Sequence, residues 1–256
     1  MFKRLTKLIF IFSFLLPSPA FPGGRKTELY ISAAISLKDT LAVIQQNYEA
    51  DNSGIKIYCS FGSSGTLQTQ IEQGAPADLF IPAAEKQMDF FERKGLILKK
   101  TRRNLVENRL VLVVPKDSPL QLKGFEDLKS EKIKYIGIGA PDSVPAGEYA
   151  CQLLKNLGIW EEIKNKAVFG NNARAVLAYV ETSNVDAGIV YRTDALLSST
   201  VKIVTVAKSD FHQPIIYPVA ITANTKHRKE AQRLLSYLIS SEGRAVFQKY
   251  GFIVPN

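Results

Sequence analysis

The sequence has few of the residues that build metal, redox and disulfide sites. Its 256 residues include two histidines, two cysteines and one tryptophan. No C-x-x-C pair or histidine cluster occurs, which excludes the usual patterns of zinc and redox centres. Cys59 falls in an apolar strand pattern and Cys151 in a helical one. We therefore expect two buried free thiols rather than a disulfide.

Long apolar runs are absent after the first twenty residues, so we expect a protein that is not embedded in a membrane. Residues 1–20 place three basic residues before an apolar run at 8–16 and end with small residues at Ser18 and Ala20. This layout predicts a secretory signal peptide over residues 1–20 and a periplasmic mature chain. No cysteine lies immediately after the expected cleavage site, which argues against a lipid-anchored form.

The chain is basic, with 33 Lys and Arg residues against 24 Asp and Glu residues and a net charge of +9. Residues 1–20 carry three of the positive charges and no negative ones, so a basic excess remains after their removal. Such a chain attracts acidic partners at long range. Its densest basic run, at 99–103, lies in a polar connector without interleaved aromatic residues. We therefore expect a solvated surface there and no nucleic-acid partner.

Short apolar runs alternate with amphipathic stretches along the chain, which predicts strands and helices in turn. Strands are predicted at 28–34, 55–61, 78–84, 109–115, 134–140, 167–169, 186–192, 202–207 and 215–223. A helix at 229–240 is predicted to finish the chain. This alternation implies an α/β fold with mainly parallel sheets flanked by helices. It forms two blocks, so we expect two lobes joined by two crossing strands, with lobe 1 at 28–112 and 217–256 and lobe 2 at 113–216.

Small, hydroxylated or glycine-bearing loops follow five of the predicted strands. They are AAISL at 33–37, FGSSGTL at 61–67, VPAGEYA at 144–150, GNNARA at 170–175 and VYRTDA at 190–195. Ligands of open α/β sheets bind beyond the carboxyl ends of the strands. There each loop presents backbone N–H groups and the positive end of a helix dipole, which predicts an anion site. Taken singly, Ser36 and Ser64 are also ordinary helix N-caps.

An exported serine hydrolase that uses Ser64 is an alternative function with weaker support. Neither His212 nor His227 falls in one of these loops, so a serine–histidine pair is not expected. FGSSG also lacks the spacing of a nucleophile elbow and the lysine of a phosphate-binding P-loop. We therefore expect a binding protein that is not an enzyme and needs no cofactor.

Several motifs together resemble the periplasmic molybdate-binding proteins of ABC transporters, from about residue 28 to residue 252. The matching segments are AAISL, FGSSGTL with QIEQGAPADLFIPA, VPAGEYA with LGIW, GIVYRTDA and KYGF. The resemblance implies a type II periplasmic-binding-protein fold whose two lobes close on molybdate or tungstate. It also implies a monomer that delivers the ion to an ABC transporter permease.

The same resemblance implies the ligand-binding residues. Matched position by position, the family's two binding serines fall on Ser36 and Ser64, and its binding tyrosine falls on Tyr191. Two backbone donors fall on Ala146 and Ala173. The chain departs from the family pattern at Gly65, where a third serine is common, and at Ile35, where the family residue is smaller.

A site made of hydroxyl and N–H donors favours a fully deprotonated tetrahedral ion, because monoprotonated phosphate brings a hydrogen that needs an acceptor. Sulfate meets the same condition, so a sulfate- or phosphate-type receptor with the same fold remains an alternative. For phosphate, Glu148 and Asp194 are the acidic residues near the loops. Arg174 lies beside Ala173, and we expect it on a helix surface rather than on the anion.

Overall fold

The computed structural model describes residues 26–255. The signal peptide predicted at 1–20 lies outside the described residues. Within the described span, no helix is both long enough and apolar enough to cross a bilayer.

The described chain forms ten strands and nine α-helices, which alternate through most of its length. The strands are β1 (Thr27–Ala34), β2 (Ile55–Gly62), β3 (Leu79–Ile81), β4 (Arg103–Asn108), β5 (Leu110–Pro115), β6 (Ile136–Gly139), β7 (Ala167–Gly170), β8 (Ala187–Tyr191), β9 (Val201–Val206) and β10 (Ile215–Ile221). The helices are α1 (Lys38–Asp51), α2 (Ser64–Glu72), α3 (Glu85–Arg93), α4 (Pro145–Asn156), α5 (Trp160–Ile163), α6 (Ala173–Glu181), α7 (Arg192–Leu197), α8 (Arg228–Leu238) and α9 (Ser241–Lys249).

The strands form two five-stranded sheets with the same pattern of directions. Their orders are β2-β1-β3-β10-β4 and β7-β6-β8-β5-β9. In the first sheet, β1 is parallel to β2 and β3, whereas β10 runs antiparallel to both of its neighbours. In the second sheet, β5 is the reversed strand. Each sheet therefore has four strands in one direction and one reversed, which confirms the predicted two-lobed α/β fold.

Two connections link the sheets. The chain leaves the first sheet between Asn108 and Leu110 and returns to it between Val206 and Ile215. We propose lobe borders at these two connections. They lie a few residues from the borders predicted at 112/113 and 216/217, because β5 lies wholly in the second sheet and β10 wholly in the first.

The position of a strand in its sheet explains its sequence pattern. In β5, which has a neighbour on each side, residues 110–114 are all fully buried. Such strands, covered on both faces, read as continuous apolar runs. The edge strands β2 and β9 instead mix half-buried and exposed positions. Cys59 in β2 and Cys151 in α4 are free thiols in different lobes; Cys151 is buried as predicted, whereas Cys59 is half-buried because β2 is an edge strand.

Two sequence predictions were wrong. The polar connector before residue 109 contains β4. Its basic run at 99–103 is largely exposed, as expected, but Arg102 pairs with carboxylates of α3, at 2.6 Å from Asp89 and 2.7 Å from Glu92. The helix expected to finish the chain is followed by α9, whose first turn is capped by Ser240 accepting the Gly243 N–H at 3.3 Å. Both elements are short and polar, so hydrophobic periodicity does not mark them.

Candidate functional site

The five residues singled out from the sequence lie at the carboxyl ends of five strands. Ser36 is in the turn after β1, and Tyr191 is the last residue of β8. Ser64, Ala146 and Ala173 lie in the first turns of α2, α4 and α6. None of the five is more than 5% exposed. Buried hydroxyl and N–H groups at helix starts need acceptors, so their partners decide what this region can bind.

Neighbouring serines in FGSSGTL have different partners. Ser63 is the N-cap of α2, and its Oγ accepts the N–H of Thr66 at 3.2 Å. Ser64 Oγ accepts the N–H of Ala83 at 2.9 Å. Because a backbone N–H can only donate, the Ser64 hydroxyl keeps its own hydrogen to donate elsewhere. Ser63 caps the helix and Ser64 retains a free donor.

Ser36 belongs to a buried hydrogen-bond chain. Its Oγ lies 2.9 Å from the hydroxyl of Tyr217 on β10. Asn108, at the end of β4, donates from Nδ2 to the Tyr217 hydroxyl at 3.2 Å and to Thr193 Oγ1 at 2.9 Å. Thr193 lies on α7 in the other lobe, so the chain crosses between the lobes. Tyr217, Asn108 and Thr193 were not predicted as site residues. Tyr217 lies in an apolar strand, Asn108 in a stretch expected to be a connector, and Thr193 in one of the five loops but two residues beyond its predicted ligand.

Tyr191 carries a buried hydroxyl with no hydrogen-bond partner among the described residues. Its ring packs against that of Tyr217, with 5.8 Å between ring centroids. Burial raises the pKa of Tyr191 well above its ordinary value, so the hydroxyl stays protonated and is a donor. A buried hydroxyl without a partner costs about 1–3 kcal/mol, which a bound acceptor would recover.

Three backbone donors complete the set. The N–H groups of Ser64, Ala146 and Ala173 have no acceptor among the described residues. All three lie in the first turn of a helix, where the helix dipole places partial positive charge. In α4 this turn begins with Pro145, the favoured residue at the first helical position. A Cβ added to Gly147 would lie 1.9 Å from the Gly139 carbonyl oxygen, so the glycine of the PAG turn lets α4 start directly against β6.

Contacts between the lobes bring these loops to one cleft. The N–H of Gly65 donates to the carbonyl of Ser143 at 3.0 Å, which places the start of α2 beside the start of α4. At the mouth of the cleft, Lys86 pairs with Glu148 at 3.0 Å. The Ser36 turn also contacts α6. The two lobes are therefore closed on each other, with donors from both of them lining the cleft.

Arg174 was expected on an exposed helix surface, but it is half-buried between two carboxylates. Its Nε lies 2.5 Å from Asp194 within lobe 2, and its terminal nitrogen lies 2.5 Å from Asp39 on α1 of lobe 1. The guanidinium therefore joins the lobes through two carboxylates. Asp194 is fully buried, and burial raises its pKa to about 6 despite the opposing effect of Arg174.

The two histidines do not approach the serines. His212 lies in the second connection between the lobes, with its Nδ1 2.7 Å from the Gln213 carbonyl oxygen, and His227 precedes α8. Neither forms a hydrogen bond with Ser36 or Ser64 among the described residues. Among residues 26–255, neither histidine is therefore hydrogen-bonded as the general base of a serine–histidine pair would be.

The fold, with donors from both lobes at one cleft, defines a class: a two-lobed, type II periplasmic binding protein. The chain belongs to the bacterial extracellular solute-binding protein family, whose sequence model matches residues 29–253.

Three relatives illustrate the similarity. YvgL of Bacillus subtilis (strain 168), provisionally named an ABC transporter substrate-binding lipoprotein, is 51% identical over 89% of this chain and 87% of its own length. The molybdate-binding protein ModA of Haemophilus influenzae is 36% identical over 98% of both chains. The solved substrate-binding domain of a provisionally assigned molybdenum ABC transporter from Clostridium difficile is 39% identical, with a TM-score of 0.72 over 90% of this chain and 100% of that domain.

Proposed function

We propose that this protein captures molybdate or tungstate between its lobes in the periplasm and delivers the ion to an ABC transporter permease. The observation that carries the proposal is the donor-only character of the cleft. The hydroxyls of Ser64 and Tyr191 have hydrogens to donate, and three helix-start N–H groups have no acceptor within residues 26–255. A tetrahedral dianion offers acceptors to all of them and needs no donor in return.

The relatives support the identity of the ion. Full-length similarity to a molybdate-binding protein from Haemophilus influenzae covers every loop that contributes to the cleft. We also propose binding without catalysis, which the solute-binding family supports and which agrees with the lack of a histidine hydrogen bond to Ser36 or Ser64 among residues 26–255. We further propose a monomer that is exported through the signal peptide at 1–20, binds no nucleic acid and uses no cofactor.

One observation favours a second candidate, a receptor for hydrogen phosphate. Asp194 Oδ2 is buried and has no partner among the described residues. It can therefore accept the hydrogen of a monoprotonated ion if it reaches the cleft. Glu148 does not offer the same, because it pairs with Lys86.

Calorimetric titration of the purified protein separates these candidates. We expect one tight site for molybdate and tungstate and much weaker binding of sulfate and phosphate. Tyr191→Phe should weaken molybdate binding at least tenfold, since hydrogen bonds to charged groups contribute about 1.5–3 kcal/mol. Tight phosphate binding without molybdate binding would establish the second candidate and exclude the first.

A further inference from the structure

The hydroxyl of Ser36 is oriented by a chain of hydrogen bonds that starts at the backbone. The N–H of Arg109 donates to Asn108 Oδ1 at 2.9 Å. A backbone N–H can only donate, so this bond fixes which end of the Asn108 side chain is the oxygen. Nδ2 then faces Tyr217 and Thr193 and donates one hydrogen to each.

This fixed amide sets the direction of the next bond. The Tyr217 hydroxyl receives a hydrogen from Asn108 and has one hydrogen of its own to place. Among the described residues, Ser36 Oγ lies at hydrogen-bond distance, 2.9 Å, whereas the neighbouring Tyr191 hydroxyl forms no hydrogen bond with Tyr217. The reverse direction, with Ser36 donating, would leave the buried Tyr217 hydrogen without an acceptor, a loss that native structures avoid.

We propose that Tyr217, held by Asn108, is a positioning residue that makes Ser36 a hydrogen-bond donor toward the bound oxyanion. Ser36 Oγ accepts from Tyr217, so its own hydrogen is left for the ligand. This inference rests on the proposed function and deepens it, because it adds Tyr217 and Asn108 to the residues that select the ion. An ion whose own hydrogen faces Ser36 would meet a second donor there and form no hydrogen bond.

The ring and the hydroxyl of Tyr217 contact different residues. The fully buried ring contacts Phe252 edge-on at 5.6 Å between centroids and Tyr191 at 5.8 Å. These contacts need an aromatic ring and no oxygen. Tyr217→Phe therefore keeps the packing and removes the hydrogen that orients Ser36.

A double-mutant cycle tests the proposal. Molybdate and sulfate affinities are measured by calorimetry at pH 8 for the wild type, Tyr217→Phe, Ser36→Ala and the double variant, with thermal unfolding midpoints for each. We expect Tyr217→Phe to weaken molybdate binding about tenfold, since an unoriented Ser36 hydroxyl turns away from the ion in part of the population. In the Ser36→Ala background the same change should have almost no effect. The control variant Tyr135→Phe, at an exposed side chain just before β6, should match the wild type.

A structural role for Tyr217 predicts a different pattern. It would lower the unfolding midpoint and weaken binding equally with or without Ser36. That result, or wild-type affinity in Tyr217→Phe, overturns the proposal. A wild-type protein that binds sulfate but not molybdate refutes the proposed ligand. The sulfate affinities of the four proteins then test the role of Tyr217. Binding of neither ion refutes both.

Discussion

Adjacent residues Ser63 and Ser64 show how position on a helix divides two roles between identical side chains. Ser63 Oγ caps α2, whereas Ser64 Oγ accepts a hydrogen bond from Ala83 and keeps its own hydrogen. Sequence alone identified the loop, because a serine-rich segment between a strand and a helix is typical of an anion site. The partner of each serine depends on residues far along the chain, which no local pattern reports.

The first prediction at the residue scale compares these two serines. We expect Ser64→Ala to weaken molybdate binding about tenfold or more, since it removes a donor to a charged ligand. Ser63→Ala should leave the affinity nearly unchanged and lower the free energy of unfolding by about 1 kcal/mol through loss of the N-cap. Calorimetry and urea denaturation measure both effects. Equal losses of affinity in the two variants would contradict the assignment of Ser64.

The second residue-scale prediction concerns Asp194, whose pKa burial raises to about 6. An aspartate in an unfolded chain has a pKa of about 3.9. The folded state binds this proton more tightly, so the resulting stabilisation is full below about pH 4 and is lost as pH rises through about 6. We expect Asp194→Asn to remove this part of the pH dependence.

Urea unfolding of the wild type and Asp194→Asn between pH 4 and pH 7 checks the prediction. Asp51→Asn, a change at an exposed position on α1, serves as the control and should follow the wild type. Parallel curves for the wild type and Asp194→Asn would show that the buried carboxylate does not titrate in this range.

At the scale of elements, the strands and helices with strong apolar periodicity were predicted correctly, and the short polar ones were not. Strand β4 carries exposed Arg103 and Asn104 at its start, and it belongs to the first sheet through pairing with β10. Pairing with a strand more than a hundred residues away provides its stability, so its own sequence gives little signal. The helix α9 was not predicted because its sequence is short and mostly polar, and its contacts with α1 and α8 depend on the folded chain.

Gly65 is the position at which the start of α2 meets the other lobe. A Cβ placed there would lie 2.8 Å from the carbonyl oxygen and 2.9 Å from the Cα of Ser143. Both atoms are backbone, so they cannot move aside cheaply. Glycine at this position, where the resemblance led us to expect serine, therefore allows the backbones of the two lobes to approach closely across the cleft.

Gly65→Ala tests this contact. We expect molybdate affinity to fall about tenfold or more, since overpacking costs about 1–3 kcal/mol and here it opposes closure alone. The free energy of unfolding should change little. Gly54→Ala is the matched control, because a Cβ there meets nothing within 4 Å. Unchanged affinity in Gly65→Ala would show that the closed lobes do not pack this tightly in solution.

At the scale of the whole molecule, closure depends on contacts that exist only when both lobes meet. Arg174 pairs with Asp39 of the other lobe across the cleft and with Asp194 of its own lobe. The sequence placed Arg174 beside a proposed ligand, but its partner on α1 is far away in the chain. Only the folded arrangement shows that this arginine pairs with carboxylates of both lobes.

Asp39→Asn removes the cross-lobe half of this ion pair and leaves Arg174 paired with Asp194. We expect molybdate to dissociate about two- to fivefold faster, because partly exposed ion pairs contribute up to about 1 kcal/mol. The difference should shrink at high salt. Stopped-flow displacement measures the rate, with Asp51→Asn as the control on the same helix. A rate equal to that of the wild type at low salt would remove this pair from the account of closure.

We propose that one molybdate ion lies in the cleft between the lobes, held by donors from both. A crystal structure grown with molybdate and measured at the molybdenum absorption edge tests this most directly. We expect a single anomalous peak bordered by Ser36, Ser64, Ala146, Ala173 and Tyr191. A molybdenum peak elsewhere on the protein, with none in this cleft, would contradict it.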